Sequence, residues 1–342
     1  MENNNCWLHR FAMLAAISTF LLLGAGGLVT SHEAGMSVPD WPNSYGYSMF
    51  AFPPSKWVGG IFYEHTHRLW ASVVGMMTTI LAVWLWRKDS RRWMKWLGVG
   101  AFLLVVAQGV LGGLRVVLNN DHLGGVHGVV GQSYFVLMCS IALFTSGLWL
   151  KISEQKPNVP RHLRVLVLVT TLLIFCQLIL GATMRAQHAG LSISDFPLAH
   201  GQLWPDTSPA AIQHYNAERM EITNINSITA FDVILQMIHR IGALMIFICV
   251  ATCAVLALRE LGKRDPLAKF ALFWLGLITA QIGLGIWTVL SNKAADIATL
   301  HLLVGALSLV TGAFWCIIAF RRSACVPVTQ HETFGAFGNL AK

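Results

Sequence analysis

Eight long runs of apolar residues constrain this chain more than any other feature of its sequence. A helix needs about 20 mostly apolar residues to cross the hydrocarbon core of a bilayer. Runs of about this length occupy 11–30, 61–86, 96–117, 123–149, 163–184, 229–258, 267–290 and 299–320. Charged residues make up only 12% of the chain, about half of their usual share in soluble domains. The sequence therefore predicts an all-α integral membrane protein with eight transmembrane helices.

Lysine and arginine are concentrated in every second connecting segment. The rich segments are 87–95, 151–164, 259–269 and the tail from Arg321, and the poor ones are 31–60, 118–122, 185–228 and 291–298. Because positively charged segments stay on the cytoplasmic side, we expect both termini in the cytoplasm and both long loops outside the cell inner (plasma) membrane. The same bias accounts for the net charge of +8 without a nucleic-acid partner.

The sequence also contains an internal repeat. AGMSVPDWP at 34–42 returns as AGLSISDFP at 189–197, an offset of 155 residues. Three further blocks return in the same order. The block at Glu64 returns at Gln236, the block at Ala107 returns at Ala280, and the block at Val126 returns at Leu300, with offsets of 172, 173 and 174 residues. Because each repeated unit has an even number of spans, we predict two tandem four-helix bundles related by a pseudo-twofold axis along the membrane normal.

The repeat divides the chain into four predicted parts. These are a first half at 1–150, a cytoplasmic linker at 151–162, a second half at 163–322 and a cytoplasmic tail at 323–342. The first apolar run belongs to the first half, because its end continues into the repeated block. We therefore interpret it as a span and not as a cleaved signal peptide.

Four of the thirteen histidines occupy paired positions of the repeat: His67 corresponds to His239, and His127 to His301. Each lies 20 or 24 residues before the next cytoplasmic charge, which is roughly 30–36 Å of helix and places it near the outer face. A single histidine there is usually an interfacial side chain, but four in register with a repeat indicate ligands. Two imidazoles from facing helices suit heme iron, whereas zinc would need three or four ligands. We therefore predict one heme in each half, bound by His67 and His127 and by His239 and His301.

Basic, aromatic and small residues accompany these histidines. Arg68 and Arg240 directly follow a histidine at the outer boundary and are candidates for binding heme propionates, since arginine binds carboxylates in a bidentate manner. Arg115 and Arg185, at the outer ends of the third and fifth spans, are weaker candidates, with interfacial cations as the alternative. Two aromatic residues of the repeated loop would cap the sites or anchor the loop at the interface, Trp41 and Phe196. Glycines beside the histidines suit either a flat macrocycle or ordinary helix packing: Gly124, Gly125, Gly128, Gly131, Gly242 and Gly305.

The two halves differ at one position that bears on chemistry. Glu64 stands three residues before His67, on the same helix face, whereas the second half has Gln236 at the corresponding place. An acid kept in one half alone favours proton-coupled chemistry there. The alternative is a carboxylate that only orients His65 or pairs with an arginine. His65 itself is expected at the interface.

The combination of these motifs resembles heme A synthase. The resemblance rests on E-x-x-H-R at 64–68, a histidine early in every second span, the doubled AG-x-S-x-x-D-[WF]-P block and the four-plus-four layout, and it covers about residues 11–320. It implies oxidation of the C8 methyl group of heme O to a formyl group, which gives the heme A of terminal oxidases. It further implies that His67 and His127, with Glu64 as the catalytic residue, form the substrate-heme site. His239 and His301 would then bind heme b.

Several features depart from that family or stay open. Many members carry a cysteine pair in an outer loop, whereas none of the seven cysteines here lies in one, so we expect no structural disulfide. The first long loop lacks the arginine that members often have after its threonine, and no role emerges for the long loop 185–228 or for His65, His122 and His188. A heme O synthase and an electron donor are the expected partners, besides membrane lipid, and a homo-oligomer is left open. The alternatives are a di-heme b-type electron-transfer cytochrome and a heme transporter or chaperone.

Overall fold

The computed structural model describes residues 6–152, 158–218 and 227–324, and ordered structure within them is almost entirely helical. In chain order the α-helices are α1 (Cys6–Ser31), α2 (Gly60–Lys88), α3 (Arg92–Val117), α4 (Asp121–Phe144), α5 (Gly147–Ile152), α6 (Arg161–Ala186), α7 (Pro209–Ala217), α8 (Ala230–Glu260), α9 (Pro266–Leu290) and α10 (Ala295–Ala324). Eight of them are long and apolar enough to cross a membrane, namely all except α5 and α7. The predicted all-α membrane protein with eight spans is therefore confirmed.

Some helix ends follow from local side chains. The Asp265 side chain accepts a hydrogen bond from the Leu267 backbone N–H at the start of α9, and Thr229 and Asp232 form a reciprocal capping box at the start of α8. The predicted fourth span, 123–149, was wrong at its end. That segment breaks after Phe144, where the Thr145 hydroxyl bonds back to Ile141 O, and it resumes as the short α5. Thr, Ser and Gly in succession favour such a break because each is a weak helix former.

The long helices form two groups of four. In the first group α1 packs on α2, α2 on α3, α3 on α4, and α4 returns to α1; in the second, α6, α8, α9 and α10 close in the same way. Consequently α2 faces α4 across the first bundle, and α8 faces α10 across the second. This common arrangement is consistent with the predicted pseudo-twofold symmetry. The boundaries of the two halves stay a prediction, and residues 153–157 of the linker and 325–342 of the tail lie outside the described residues.

The two groups meet along α1, α4, α6 and α10. The main apolar core of each group lies toward the ends of α2, α4, α8 and α10 that are farther from the histidines. In the first group this core includes Leu81, Leu85, Met94 and Met138, and in the second it includes Leu163, Val167, Val250, Trp274 and Trp315. Lipid tails are as apolar as these side chains, so close van der Waals packing between the helices, and not removal from water, stabilises this core. This packing fixes the helices at one end and leaves the opposite end of each bundle to the histidines.

Candidate functional site

The four paired histidines lie within the first ten residues of four helices that face each other in pairs. His67 is on α2 and His127 on α4, and their ring centres are 6.5 Å apart with the ring planes at 82°. Two imidazole nitrogens bound to one metal at about 2 Å, on opposite sides, put the ring centres roughly 6 Å apart. The side chains predicted to share one iron are therefore brought together at a separation that suits it.

The second pair repeats this placement. His239 is on α8 and His301 on α10, which face each other across the second bundle. In all four histidines the Nδ1 atom is buried and has no hydrogen-bond partner among the described residues. The same ring nitrogen is thus enclosed in all four histidines, and a metal would be bound through the other ring nitrogen, Nε2.

The donor set also limits the kind of metal site. Within the described residues, no group of three or more His, Cys, Asp or Glu side chains is placed to hold a metal ion. A zinc centre needs three or four such ligands, whereas a porphyrin supplies four nitrogens of its own and leaves two axial positions. The residues present thus fit a heme with two histidine ligands in each half.

Glu64 and Arg68 hold the first outer loop. The Val38 backbone N–H donates to Glu64 Oε2 at 2.8 Å, and Arg68 donates to Glu64 Oε1 at 2.5 Å. Arg68 also donates to the carbonyl oxygens of Val38 at 2.7 Å, Asp40 at 2.6 Å and Asn43 at 3.1 Å. Glu64 is buried. Both of its oxygens therefore have protein partners in this conformation, three residues from His67.

Gln236 and Arg240 hold the second outer loop in the corresponding way. The Gln236 amide accepts from the Ile193 backbone N–H at 2.8 Å and donates to Ile193 O at 3.0 Å. Arg240 donates to Asp195 O at 2.8 Å and to Leu198 O at 3.0 Å. In both halves, therefore, two helix residues four positions apart bind the loop. Only in the first half do these two residues, Glu64 and Arg68, also form an ion pair. The propionate-binding role assigned to Arg68 and Arg240 stays a prediction, beside this observed role in the loops.

The repeated loop is longer than the matching sequence blocks and extends to Tyr47 and Gln202. Asp40 accepts the backbone N–H groups of Tyr45 and Gly46, and Asp195 accepts those of His200 and Gly201. Both glycines have positive φ, 77° and 75°, which favours glycine. The sequence signal for this extension is D-[WF]-P followed after three residues by Gly, and it was not recognised from the sequence.

These N–H groups also determine the charge state of the two loop carboxyls. Partial burial acts to raise the pKa of Asp40, but the hydrogen bonds from Gly46 and Tyr45 outweigh it and hold that pKa below its ordinary value. The pKa of Asp195 is lowered in the same manner, against the effect of burial, by Gly201 and His200. Both carboxylates are therefore ionised at neutral pH and support the loops as anions.

The two loop aromatics have different neighbours. The ring of Trp41 lies against Gly113 of α3, whereas the ring of Phe196 has the Arg240 guanidinium 5.8 Å from its centre. Gly113 follows Gly112, which contacts His127. Trp41 therefore lies at the end of the first bundle that carries His67 and His127, as a residue capping that site would.

Arg115 and Arg185 also differ in what they join. Arg115 donates to Asp121 at 3.2 Å within the first group of helices. Arg185, on α6 of the second group, reaches α1 of the first, where it donates to Gly27 O at 3.0 Å and to the Ser31 hydroxyl at 2.8 Å. Among the described residues no carboxylate pairs with Arg185. Their predicted role in binding propionates is untested by these contacts.

The remaining histidines and the long second loop are placed as follows. His65, expected at the interface, is fully buried because the first loop folds over it: its Nδ1 is 3.2 Å from the Ser44 hydroxyl, and Phe52 and Trp57 pack on its ring. His122 is exposed, and His188 follows α6 with positive φ. In the loop 185–228, His200 stacks on Tyr215 of α7 at 3.5 Å, and residues 219–226 lie outside the described part.

The glycines nearest the histidines are not those that the sequence singled out. Gly124 lies against Arg115, Gly242 against Gln177 and Gly305 against Gln281, so none of these three adjoins a histidine ring itself. Four other glycines adjoin the histidine rings themselves: Gly26, Gly112, Gly181 and Gly285. These four also recur with the internal repeat, but the sequence does not show that they contact the histidines, because the contact depends on which helices become neighbours.

Comparison with known proteins gives consistent matches over most of the chain. The model of a family described as cytochrome oxidase assembly protein (COX15-CtaA) matches residues 9–312. The heme A synthase of Halalkalibacterium halodurans is 25% identical over 328 residues, which cover 93% of this chain and 100% of that protein. The heme A synthase of Lysinibacillus sphaericus is 24% identical, over 89% of this chain and 92% of its own. Human heme A synthase COX15 is 27% identical over 76% of this chain and 64% of the human protein.

Proposed function

The chain belongs to the COX15-CtaA family of cytochrome oxidase assembly proteins, and on that premise we propose that it is an integral membrane enzyme that converts heme O into heme A. The reaction oxidises the C8 methyl group of heme O to a formyl group. The observation that carries the proposal is the pair His67 and His127, on facing helices, with ring centres 6.5 Å apart. A second pair in the other half supplies a matching place for a resident heme.

The first half is proposed to bind the substrate. His67 and His127 would take the two axial positions of heme O, and the loop that carries Trp41 would cover the outer end of the bundle. Arg115 lies at this end, on α3, and is the candidate there for a propionate. Ligands on both faces would fix the plane of the porphyrin, and a propionate bound by Arg115 would fix which edge of the ring meets which side chains.

The second half is proposed to bind heme b through His239 and His301. With water as the source of the oxygen atom, conversion of a methyl to a formyl group releases four protons and four electrons. The electrons must pass to a redox partner outside the site, and heme b would supply electron-transfer chemistry when bound. Arg185 and Arg240 are the candidates for its propionates. The residues of this half lack an acid at the place of Glu64, which agrees with a role in binding and not in conversion.

Glu64 is proposed as the acid of the substrate site. It stands three residues from His67, and Val38 and Arg68 fix its carboxylate in one position. A fixed carboxylate near a reacting edge can take up a proton or stabilise positive charge at that edge without reorganisation. The ion pair with Arg68 links that carboxylate to the loop above the site.

The setting of this chemistry is also part of the proposal. We place the protein in the plasma membrane with both termini cytoplasmic, so that both heme sites lie near the outer face. A heme O synthase would supply the substrate, and a membrane redox partner would exchange electrons with the protein.

Extraction of the hemes from purified protein tests the function. Protein from cells that make heme O should contain heme B together with heme O or heme A, because one site holds a cofactor and the other holds substrate or product. Heme B alone, at two per chain, would instead identify a di-heme electron-transfer cytochrome. Release of intact heme O to an acceptor protein, with no heme A formed, would identify a transporter.

A further inference from the structure

Each of the four paired histidines packs against one glycine of the preceding long helix. An ideal Cβ placed on Gly26 of α1 would lie 3.0 Å from Cε1 of His67, and one on Gly112 of α3 would lie 3.3 Å from Cε1 of His127. In the second half the corresponding distances are 3.4 Å from Gly181 of α6 to His239 and 3.1 Å from Gly285 of α9 to His301. In every case the ring atom that meets the glycine is the same.

These glycines follow the internal repeat. Gly181 minus Gly26 is 155, the offset of the repeated loop blocks, and Gly285 minus Gly112 is 173, the offset of the block that begins at Ala107. Each histidine and its glycine therefore recur together, although they come from different helices. Two other glycines of the same helices lack such a contact: Gly109 and Gly283 are exposed, and nothing lies within 4 Å of a Cβ built on either.

The ring atom in contact explains why the position would matter. Cε1 stands between the two nitrogens of an imidazole, so a push at Cε1 displaces both nitrogens at once. Non-bonded carbon atoms prefer separations of about 3.5–4.0 Å, so a methyl group at 3.0 or 3.1 Å would force the ring away by a few tenths of an ångström. Bonds between protein ligands and metals tolerate about 0.2 Å of deviation. The expected displacement is therefore as large as the tolerance of the bond.

We propose that Gly26, Gly112, Gly181 and Gly285 are positioning residues that set where each axial histidine meets its iron. The inference rests on the proposed function, since it requires heme bound by these histidines. The absence of a side chain at these four positions lets the imidazole lie against helix backbone, with its Nδ1 atom buried and free of protein partners among the described residues. The distances further rank the positions, with Gly26 and Gly285 the most sensitive and Gly181 the least.

The test compares alanine variants of contacting and non-contacting glycines on the same helix. The pairs are Gly285→Ala with Gly283→Ala on α9, and Gly112→Ala with Gly109→Ala on α3. Full-length protein is purified from cells that make heme O, and three quantities are measured: heme per chain, the EPR spectrum of the ferric low-spin hemes, which reports the orientation of the axial imidazole planes, and the thermal stability.

We expect Gly285→Ala to lose the low-spin signal of the second site or to shift its g values, and Gly112→Ala to do the same for the first. Gly283→Ala and Gly109→Ala should match the wild type, and Gly181→Ala should change the signal least. Alanine favours helix over glycine, so the apoprotein should melt at or above the wild-type temperature. A changed EPR signal together with an unchanged or higher melting temperature would show that the histidine ligands are misplaced while the protein is still folded. Gly26→Ala provides a third contacting variant if either of the first two does not accumulate.

Two results overturn the inference. Wild-type spectra in Gly285→Ala and Gly112→Ala would show that the rings tolerate a side chain at these positions. Equal losses in contacting and control variants would show that any alanine in these helices disturbs heme binding, so that the contact with the ring is not the cause. Absence of bis-histidine heme from the wild-type protein is a different result, because it contradicts the proposed function itself.

Discussion

At the residue scale, the paired histidines carry the assignment of two heme sites. His301→Ala should remove the tightly bound heme b, because a single axial histidine on α8 would remain in the second half. The expected result is a loss of about one heme B per chain by pigment extraction, with the first site still able to bind heme. His122→Ala is the matched control, since that histidine is exposed and lies outside both pairs. A full complement of low-spin heme B in His301→Ala would contradict the ligand assignment.

The difference between Glu64 and Gln236 can be tested by exchanging the two side chains. Glu64→Gln should still hold the first loop, since Gln236 holds Ile193 through both ends of its amide in the second half. The ion pair with Arg68 is lost, so we expect folded protein that binds heme but forms at least tenfold less heme A, which corresponds to about 1.4 kcal/mol or more of activation free energy.

Chromatography of extracted hemes measures this effect, and the control is Gln236→Glu, which should leave heme A formation near the wild-type level. Wild-type amounts of heme A from Glu64→Gln would show that Glu64 only holds the loop and takes no part in the reaction. In that case the asymmetry between the halves would no longer favour an enzyme over an electron carrier.

Single residues were predictable from the sequence where the repeat singled them out, and unpredictable where a fold had to form first. The histidine pairs were predicted from their matching positions in the internal repeat, and His67 and His127 lie close together across the first bundle. Arg68 was interpreted only as a ligand for carboxylates, yet three loop carbonyls accept its N–H groups. That bonding depends on the path of the loop backbone, which no residue pattern at position 68 reveals.

At the scale of elements, the repeated outer loop depends on a charged aspartate in each half. The pKa of Asp40 is lower in the folded loop than in an unfolded chain, where it is about 3.9. Its contribution to stability is therefore complete above about pH 4 and is lost as the pH falls through the lowered folded-state pKa. We expect hydrogen-exchange protection of Tyr45 and Gly46, corrected for intrinsic rates, to stay constant down to about pH 4 and to fall below it.

Asp40→Asn separates this contribution from general acid effects. Asparagine is neutral, so protection of the first loop should be weaker and should no longer follow the titration of an aspartate, while the second loop keeps its wild-type behaviour. Asp195→Asn should do the reverse. Unchanged protection at Tyr45 and Gly46 in Asp40→Asn would show that the carboxylate does not hold the loop.

The helices were more predictable than the segments between them. Apolar length located all eight spans, because a membrane-crossing helix needs a nearly fixed number of apolar residues. The end of α4 was misplaced because Leu148 to Leu150 are as apolar as the span before them, while the break at Thr145 depends on side-chain bonding to the preceding turn. Helix α7 was missed altogether, since it is short and polar and is held by a loop contact, the stacking of His200 on Tyr215.

At the scale of the whole molecule, Arg185 joins the two groups of helices. It extends from α6 to the end of α1 and donates to a carbonyl and a hydroxyl there. Hydrogen bonds from a charged group contribute about 1.5–3 kcal/mol each, whereas an exposed ion pair contributes about 0–1 kcal/mol. We therefore expect Arg185→Ala to lower the free energy of unfolding in detergent more than Arg115→Ala, whose partner Asp121 is half exposed and lies in the same group. Equal effects would show that Arg185 does not stabilise the contact between the halves.

The internal repeat and the family resemblance were both recognisable in the amino-acid sequence, and the comparisons confirm the family. The order of blocks implied two groups of four helices, because each half carries one long outer loop and four spans. How the groups meet could not be predicted: α1, α4, α6 and α10 are each as apolar on their lipid-facing side as on their buried side. The packing between the two groups depends on contacts such as that of Gly27 on α1 with Thr299 on α10, and the residues in these contacts follow no distinctive sequence pattern.

Heme A formation in living cells tests the central claim most directly. The chain is expressed together with a heme O synthase in a host that makes heme O but no heme A, and the membrane hemes are extracted and separated by chromatography. The proposed function predicts that heme A appears with the wild-type chain and is absent with His67→Ala and with His301→Ala, while heme O accumulates in both variants. Heme O without any heme A in cells that contain correctly folded wild-type protein with bound heme would contradict it.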